Sequence, residues 1–163
     1  MSKTVPAAFS PPVAIDAMSV KARTGSAYPA PFDQVVGARE KRALGDVFGL
    51  NGFGVNLVRL PSGCWSSQRH WHTEEDELVY VLEGELVLVT DAGEQVLKPG
   101  MVAGFPAGKR DGHHMQNRGG RDALYLEVGG RIASDEADYP DIDLELKVRD
   151  GEYVFQRKDG TPY

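Results

Sequence analysis

From Gly52 onward the chain alternates apolar and polar positions in short runs, the period expected where one face of a strand is buried. The runs are "FGVNLVRL", "CWSSQRHWH", "ELVYVL", "ELVLVT", "EQVLK", "MVAGF", "HHMQNR" and "ALYLEV". Turn residues separate them: Pro61-Ser62-Gly63, Glu83-Gly84, Asp91-Ala92-Gly93, Pro99-Gly100, Asp111-Gly112 and Gly119-Gly120. Eight short strands without an intervening helical pattern predict an all-β sandwich or barrel rather than βαβ units. The tail "DEADYPDIDLELKVRDGEYVFQRKDGTPY" reads as an acidic loop, an alternating run over Asp143 to Val148 and a final hairpin over Asp150-Gly151. Residues 1–50, rich in proline, glycine and alanine, sustain no period. They read as an N-terminal arm with short strands or turns, packing on the barrel or on a partner subunit, and residues 51–163 as a single domain with a C-terminal extension.

Composition narrows the classes. A chain of 163 residues, 41% of them hydrophobic, buries one core. A net charge of -6 and no run of lysines or arginines argue against nucleic acid as a partner. Cys64 is the single cysteine, so no intramolecular disulfide forms. Pro6, Pro11 and Pro12 interrupt the N-terminal apolar run, and no stretch approaches the roughly 20 apolar residues of a membrane span. A soluble, cytoplasmic protein is the expectation.

The chemistry concentrates in two places. All four histidines lie in "RHWHTEEDE" and "GHHMQN". On a strand, His70 and His72 share one face while Trp71 points to the other, so two imidazoles aim at one point. Glu77, where the chain re-enters a strand, offers a carboxylate to the same point, and either His113 or His114 completes the set. Three neutral imidazoles and a carboxylate suit a divalent transition metal such as Fe, Mn, Ni, Co or Zn, with a net positive centre that accepts an anionic substrate. Glu74 to Asp76 read as a solvated turn, Arg69 as outward-facing, Trp65 and Trp71 as packing residues, and Asn117 as a turn-forming or backbone-capping side chain. Gln68, which shares the parity of His70, and the loop cations Lys109 and Arg110 are the candidate substrate-binding residues. Glu127 in "YLEV" is a candidate general base beside Glu77.

Taken together the two stretches resemble the motifs of the cupin superfamily. The first motif, a glycine, a His-x-His, a glutamate and a glycine, corresponds to Gly63, His70, His72, Glu77 and Gly84. The second, glycine, proline, glycine, histidine and asparagine, corresponds to Gly100, Pro106, Gly108, His113 and Asn117. The interval from Gly63 to His70 is one residue longer than the usual pattern, and that from Gly108 to His113, "KRDG", two residues longer. The spacing to Asn117 selects His113 over His114. The resemblance implies a jelly-roll barrel, or double-stranded β-helix, with a metal held by His70, His72, Glu77 and His113. It also implies a homodimer in which the arm exchanges between subunits.

Cupins host many reactions, so the fold leaves function open. The small single barrel looks most like bacterial cupins labelled sugar-phosphate isomerase-like, which makes a metal-dependent isomerase of a small sugar phosphate the leading expectation. An iron-dependent dioxygenase and a non-catalytic cupin that binds a small anionic ligand are the alternatives.

Overall fold

The computed structural model describes residues 11–163; Pro6 and the rest of the first ten residues lie outside the description. A four-residue strand, β1 (Glu40–Ala43), and one short helical turn, α1 (Leu44–Val47), end the arm. Eleven strands follow: β2 (Phe53–Leu60), β3 (Trp71–His72), β4 (Glu77–Glu83), β5 (Leu86–Thr90), β6 (Gly93–Leu97) and β7 (Val102–Phe105) come first, with β8 (His114–Gln116), β9 (Ala123–Gly130), β10 (Ala137–Tyr139), β11 (Leu144–Arg149) and β12 (Glu152–Gln156) after them. No helix of the described residues is long and apolar enough to cross a membrane.

One layer is a five-stranded antiparallel sheet in the order β1-β2-β9-β4-β7. The facing layer combines β12-β11-β10-β3 with β6-β5-β8, and an isolated bridge between His70 and His113 joins the two short sheets edge to edge. The result is a jelly-roll β-sandwich of almost pure β structure, as the alternation predicts.

The interior is divided lengthwise by what the strands present to it. Towards one end Val58, Leu60, Val79, Val81, Ala123 and Tyr125 of the five-stranded sheet meet Leu86, Leu88, Leu97 and Met115 in a continuous apolar core. Two residues further along β2, β4 and β9 the inward positions turn polar: Asn56 pairs opposite Glu127, and Glu77 opposite Gly129. Side chains two apart share a face, so the strands that seal the core at one end line a cavity at the other. The hinge between β4 and β5 depends on Gly84, whose φ is +74° and where an added Cβ would lie 2.8 Å from the backbone of Ala123.

Two departures from the sequence pattern matter. The run "CWSSQRHWH" forms a ladder only at Trp71–His72, with single bridges at Trp65 and His70. Between them side chains take the backbone carbonyls that a neighbouring strand would use: Arg39 donates to Ser66 O, His114 Nδ1 lies 3.1 Å from Ser67 O, and His70 Nδ1 lies 2.9 Å from Gln68 O. The acidic loop expected in "DEADYPD" is instead β10 over Ala137–Tyr139, inserted between β3 and β11 with Ala137 and Tyr139 buried. The final hairpin is present, and Asp150 (φ 54°) and Gly151 (φ 82°) supply the paired positive φ angles of a two-residue turn.

The described part of the arm packs on the barrel of its own chain. Tyr28 and Phe32 lie against the second apolar cluster of Ala137, Tyr139 and Leu144, with Tyr28 edge-on to Tyr139 at 5.6 Å. The outer face of the five-stranded sheet remains apolar and open, with Phe53, Leu78, Tyr80 and Val102 between 40% and 57% exposed.

Candidate metal centre

Each ligand-type side chain is placed by a different backbone constraint. His70 and His113 face each other through a reciprocal pair of backbone hydrogen bonds, His70 N to His113 O at 3.2 Å and His113 N to His70 O at 2.8 Å. His72 follows two residues on, in β3, on the same side. Glu77 opens β4 in the opposite layer, hydrogen-bonded between β7 and β9 opposite Phe105 and Gly129. Three imidazoles from one wall and one carboxylate from the other therefore meet across the interior.

Their tips converge. Glu77 Oε2 lies 2.8 Å from His113 Nε2, 3.6 Å from His72 Nε2 and 3.8 Å from His70 Nε2. His70 Nε2 and His72 Nε2 are 3.1 Å apart. Ligand atoms that share a divalent ion at bonds of about 2.0–2.2 Å stand roughly 3–4.4 Å from one another. His70, Glu77 and His113 bring one ligand atom each within 4.8 Å of one another, a set that could hold an ion, and His72 borders it while also grouping with Glu75 and Asp135. Two imidazole Nε2 atoms 3.1 Å apart can share at most one proton, so they present a donor set suited to a cation.

The outward nitrogens support this orientation. His70 Nδ1 is held by Gln68 O at 2.9 Å, and His72 Nδ1 by Asp135 Oδ2 at 2.5 Å. A proton fixed on Nδ1 leaves the Nε2 lone pair free for a metal. Asp135 is 3% exposed. Its other oxygen accepts from the backbone N–H groups of Glu74 and Glu75 at 2.8 and 3.1 Å, so one carboxylate shapes the "TEED" turn and orients His72. The His113 ring lies flat on Phe105, with centroids 3.5 Å apart.

Burial and charge set the protonation states. Burial, reinforced by the neighbouring His113 and His72, lowers the His70 pKa to about 4 despite the attraction of Glu77. Burial alone would raise Glu77, but the hydrogen bond from His113 and the three imidazoles hold its carboxyl well below the usual range. A neutral His70 and an ionised Glu77 are the states in which these two groups bind a divalent metal.

The centre opens on a cavity of about 400 Å³, the size of a small-molecule site. His70, His72, Glu77 and His113 line it together with Glu127, Asn56, Lys41, Arg39, Tyr28 and Tyr139. Glu127 faces inward and accepts from Lys41 Nζ at 2.6 Å and Asn56 Nδ2 at 3.2 Å. The other expected substrate contacts lie elsewhere. Gln68 is absent from the lining and donates its amide to Phe32 O at 2.7 Å, because the bends at Ser66 to Arg69 break the parity that related it to His70. Arg110 stacks over Trp71 at 5.6 Å, and Lys109, with its side chain 64% exposed, pairs with Asp111 at 3.4 Å; the enlarged loop folds them over the outside of β3. Lys109 reaches only a narrow recess of about 20 Å³ behind His72 and His113.

Arg69 points away from the centre, as expected, held there by Asp91, Asp141 and Gly112 O, which its guanidinium ties together. His114 turns to Ser67 O and the edge of Trp65, which leaves His113 at the centre. Asn117 is 1% exposed and caps backbone, donating to Leu60 O and Arg121 O and accepting from Gly119 N.

Two outcomes test this geometry. In metal-free protein, NMR titration of the imidazoles is expected to show His70 neutral down to about pH 4. The unfolded chain then binds the extra proton between pH 6.5 and about 4, so His70 contributes stability that is full above pH 6.5 and lost as pH falls through that window. A His70 resonance titrating near 6.5 would contradict this environment. Asp135→Asn weakens metal binding about 10–100-fold in competition with a chelator, and His70→Ala with His113→Ala abolishes it; unchanged metal content in the double variant would exclude the centre.

Comparison with known proteins agrees with the geometry. The family model of the cupin domain matches residues 56–129. A solved sugar phosphate isomerase of the cupin superfamily from Silicibacter pomeroyi is 45% identical, with 92% of this chain and 96% of that one covered and a TM-score of 0.88. A candidate sugar phosphate isomerase from Acidithiobacillus ferrooxidans is 30% identical over 77% of this chain and 80% of that one, at a TM-score of 0.70. The polyketide cyclase RemF from Streptomyces resistomycificus shares the fold, with 23% identity, 73% and 79% coverage and a TM-score of 0.59. A comparison with curated proteins finds no match. With both sequence motifs brought to one centre and a relative this similar along nearly its whole length, the chain belongs to the cupin superfamily.

Proposed function

We propose that the protein is a metal-dependent isomerase of a small sugar phosphate. The observation that carries this reading is the placement of Glu127, an inward carboxylate one pleat along β9 from the position opposite Glu77. The similarity to the Silicibacter pomeroyi protein, named as a sugar phosphate isomerase, supports the same class. Aldose–ketose isomerisation needs a base to move a proton between neighbouring carbons and a positive centre for the carbonyl oxygen. His70, His72, Glu77 and His113 would hold a divalent ion, which when bound supplies that positive charge.

Glu127 is suited to the proton transfer. Lys41 and Asn56 donate to the same oxygen, Oε1, which orients the carboxylate and leaves Oε2 available to the cavity. Glu77, by contrast, is committed to the three imidazoles and acts as a ligand rather than a base. Buried Val79, opposite Glu127 on β4, and the aromatic wall of Tyr28, Tyr139 and Phe155 confine the substrate between the two layers.

The protein loaded with each of Fe, Mn, Ni, Co and Zn in turn is expected to interconvert an aldose phosphate and its ketose, read by NMR of the sugar. Glu127→Gln is expected to lower kcat about 100-fold or more at unchanged metal content. Failure of every metal form to turn over three- to six-carbon sugar phosphates would defeat the isomerase reading.

The proposal extends to a homodimer built on the open face of the five-stranded sheet, where Leu78, Tyr80 and Val102 form a contiguous apolar patch of the kind that marks an interface. Sedimentation is expected to give twice the 17.8 kDa chain mass, falling to the single mass in Leu78→Asp with Val102→Asp. A wild-type monomer at micromolar concentration would refute it.

A further inference from the structure

Three cations line the cavity: Arg39, Lys41 and Arg131. Lys41 is neutralised by Glu127 at 2.6 Å, and Arg131 by Asp46. Among the described residues Arg39 has no carboxylate within ion-pairing distance. Its Nη1 donates to Ser66 O, while its Nε is buried without any hydrogen-bond partner. A buried guanidinium edge left unsatisfied is costly unless something completes it.

The register of β1 explains why it points inward. Glu40 stands opposite Arg59, where it pairs with Arg59 and Arg42, so the alternate positions Arg39 and Lys41 face the interior. With Nη1 occupied, Nε and Nη2 remain as the two parallel donors of the guanidinium fork, the arrangement that takes the two oxygens of a carboxylate or phosphoryl group side-on. The hydroxyls of Ser66 and Ser67, 3.4 Å apart, line the same cavity. The acids of the lining are engaged elsewhere: Glu127 is held by Lys41 and Asn56, Glu77 by the imidazoles, and Glu75 accepts from the backbone N–H of Ile132.

We infer that Arg39 anchors the anionic group, phosphoryl or carboxylate, of the substrate, through a two-donor contact made by the arm rather than by the loop cations Lys109 and Arg110. The inference rests on the cavity being the substrate site of the proposed isomerase. It makes the arm part of the binding site, since the fork that receives the anion belongs to residue 39 and its Ser66 partner to the barrel. Tyr139, whose ring stacks on His70 at 5.6 Å, lines the same cavity as Arg39 and offers an apolar surface to the uncharged body of a small sugar.

The test is anion binding, which requires no turnover. Zinc-loaded protein is titrated with inorganic phosphate and, separately, with acetate, by calorimetry and by the NMR signal of the Arg39 Nε–H. Saturable binding that shifts this signal is expected. Arg39→Gln should raise Kd about tenfold or more, Arg39→Lys should restore only part of the affinity because a point charge replaces the fork, and Arg110→Gln should leave it unchanged. The tighter anion identifies a phosphorylated or a carboxylate substrate. Binding that leaves the Nε–H signal unmoved, affinity unaffected by Arg39→Gln, or loss of affinity in Arg110→Gln would overturn the assignment. Should Arg39→Gln fail to fold, the wild-type signal and the Arg39→Lys affinity decide alone. Arg39-dependent binding without isomerisation leaves the anchor standing and removes the isomerase; isomerisation with Arg39-independent binding does the reverse.

Discussion

A carboxylate cannot be withdrawn from water cheaply, and Glu77 is largely withdrawn from it, at the wall of a cavity inside a β-sandwich with its side chain 18% exposed. What makes the position tenable is that three imidazoles from the opposite layer stand within 4 Å of its Oε2. This one cross-layer contact ties the sheets together at the end where the apolar core stops, and it requires the surrounding machinery. Asp135 must fix His72, the Gln68 carbonyl must fix His70, and the paired backbone bonds of His70 and His113 must join the two short sheets.

The division of the interior follows from the same strands serving two purposes. Along β2, β4 and β9 the inward residues pass from Leu60, Val81 and Tyr125 to Asn56, Glu77 and Glu127 without a break in the ladders. The apolar half carries the packing and gives the polar half rigid walls. A site built on paired strands holds its side chains more closely than one built on loops, which is the condition for convergent ligands. The arm completes the enclosure: Lys41 orients Glu127, Arg39 grips the Ser66 carbonyl, and Tyr28 closes over Tyr139.

Much of this was legible in the chain because the signals were local. The period of two placed β2, β4, β5, β6, β7 and β9, and the motif spacing brought out His70, His72, Glu77 and His113. Asn117 read as a backbone cap and behaves as one. Asp135 had no such signal. It stands among Glu136, Asp138 and Asp141, and only the pairing of β10 with β3 decides which of these acids reaches His72. Gln68 misled for the opposite reason, since parity holds only while the strand does, and side chains occupy the carbonyls of residues 66–68.

Turn chemistry, two-residue alternation and motif spacing act over a few neighbouring residues, so the chain alone carried the all-β class, the four ligand-type residues and most strand positions, but neither the shortness of β3 nor the existence of β10. The tertiary structure alone decided which charges meet in the cavity. Lys109 and Arg110 are adjacent to His113 along the chain yet fold outside it, whereas Arg39 and Lys41, far upstream, are carried in by the register of β1 on β2. That register rests on backbone pairing between segments distant in sequence, and no local pattern encodes which face of an edge strand a cation will take.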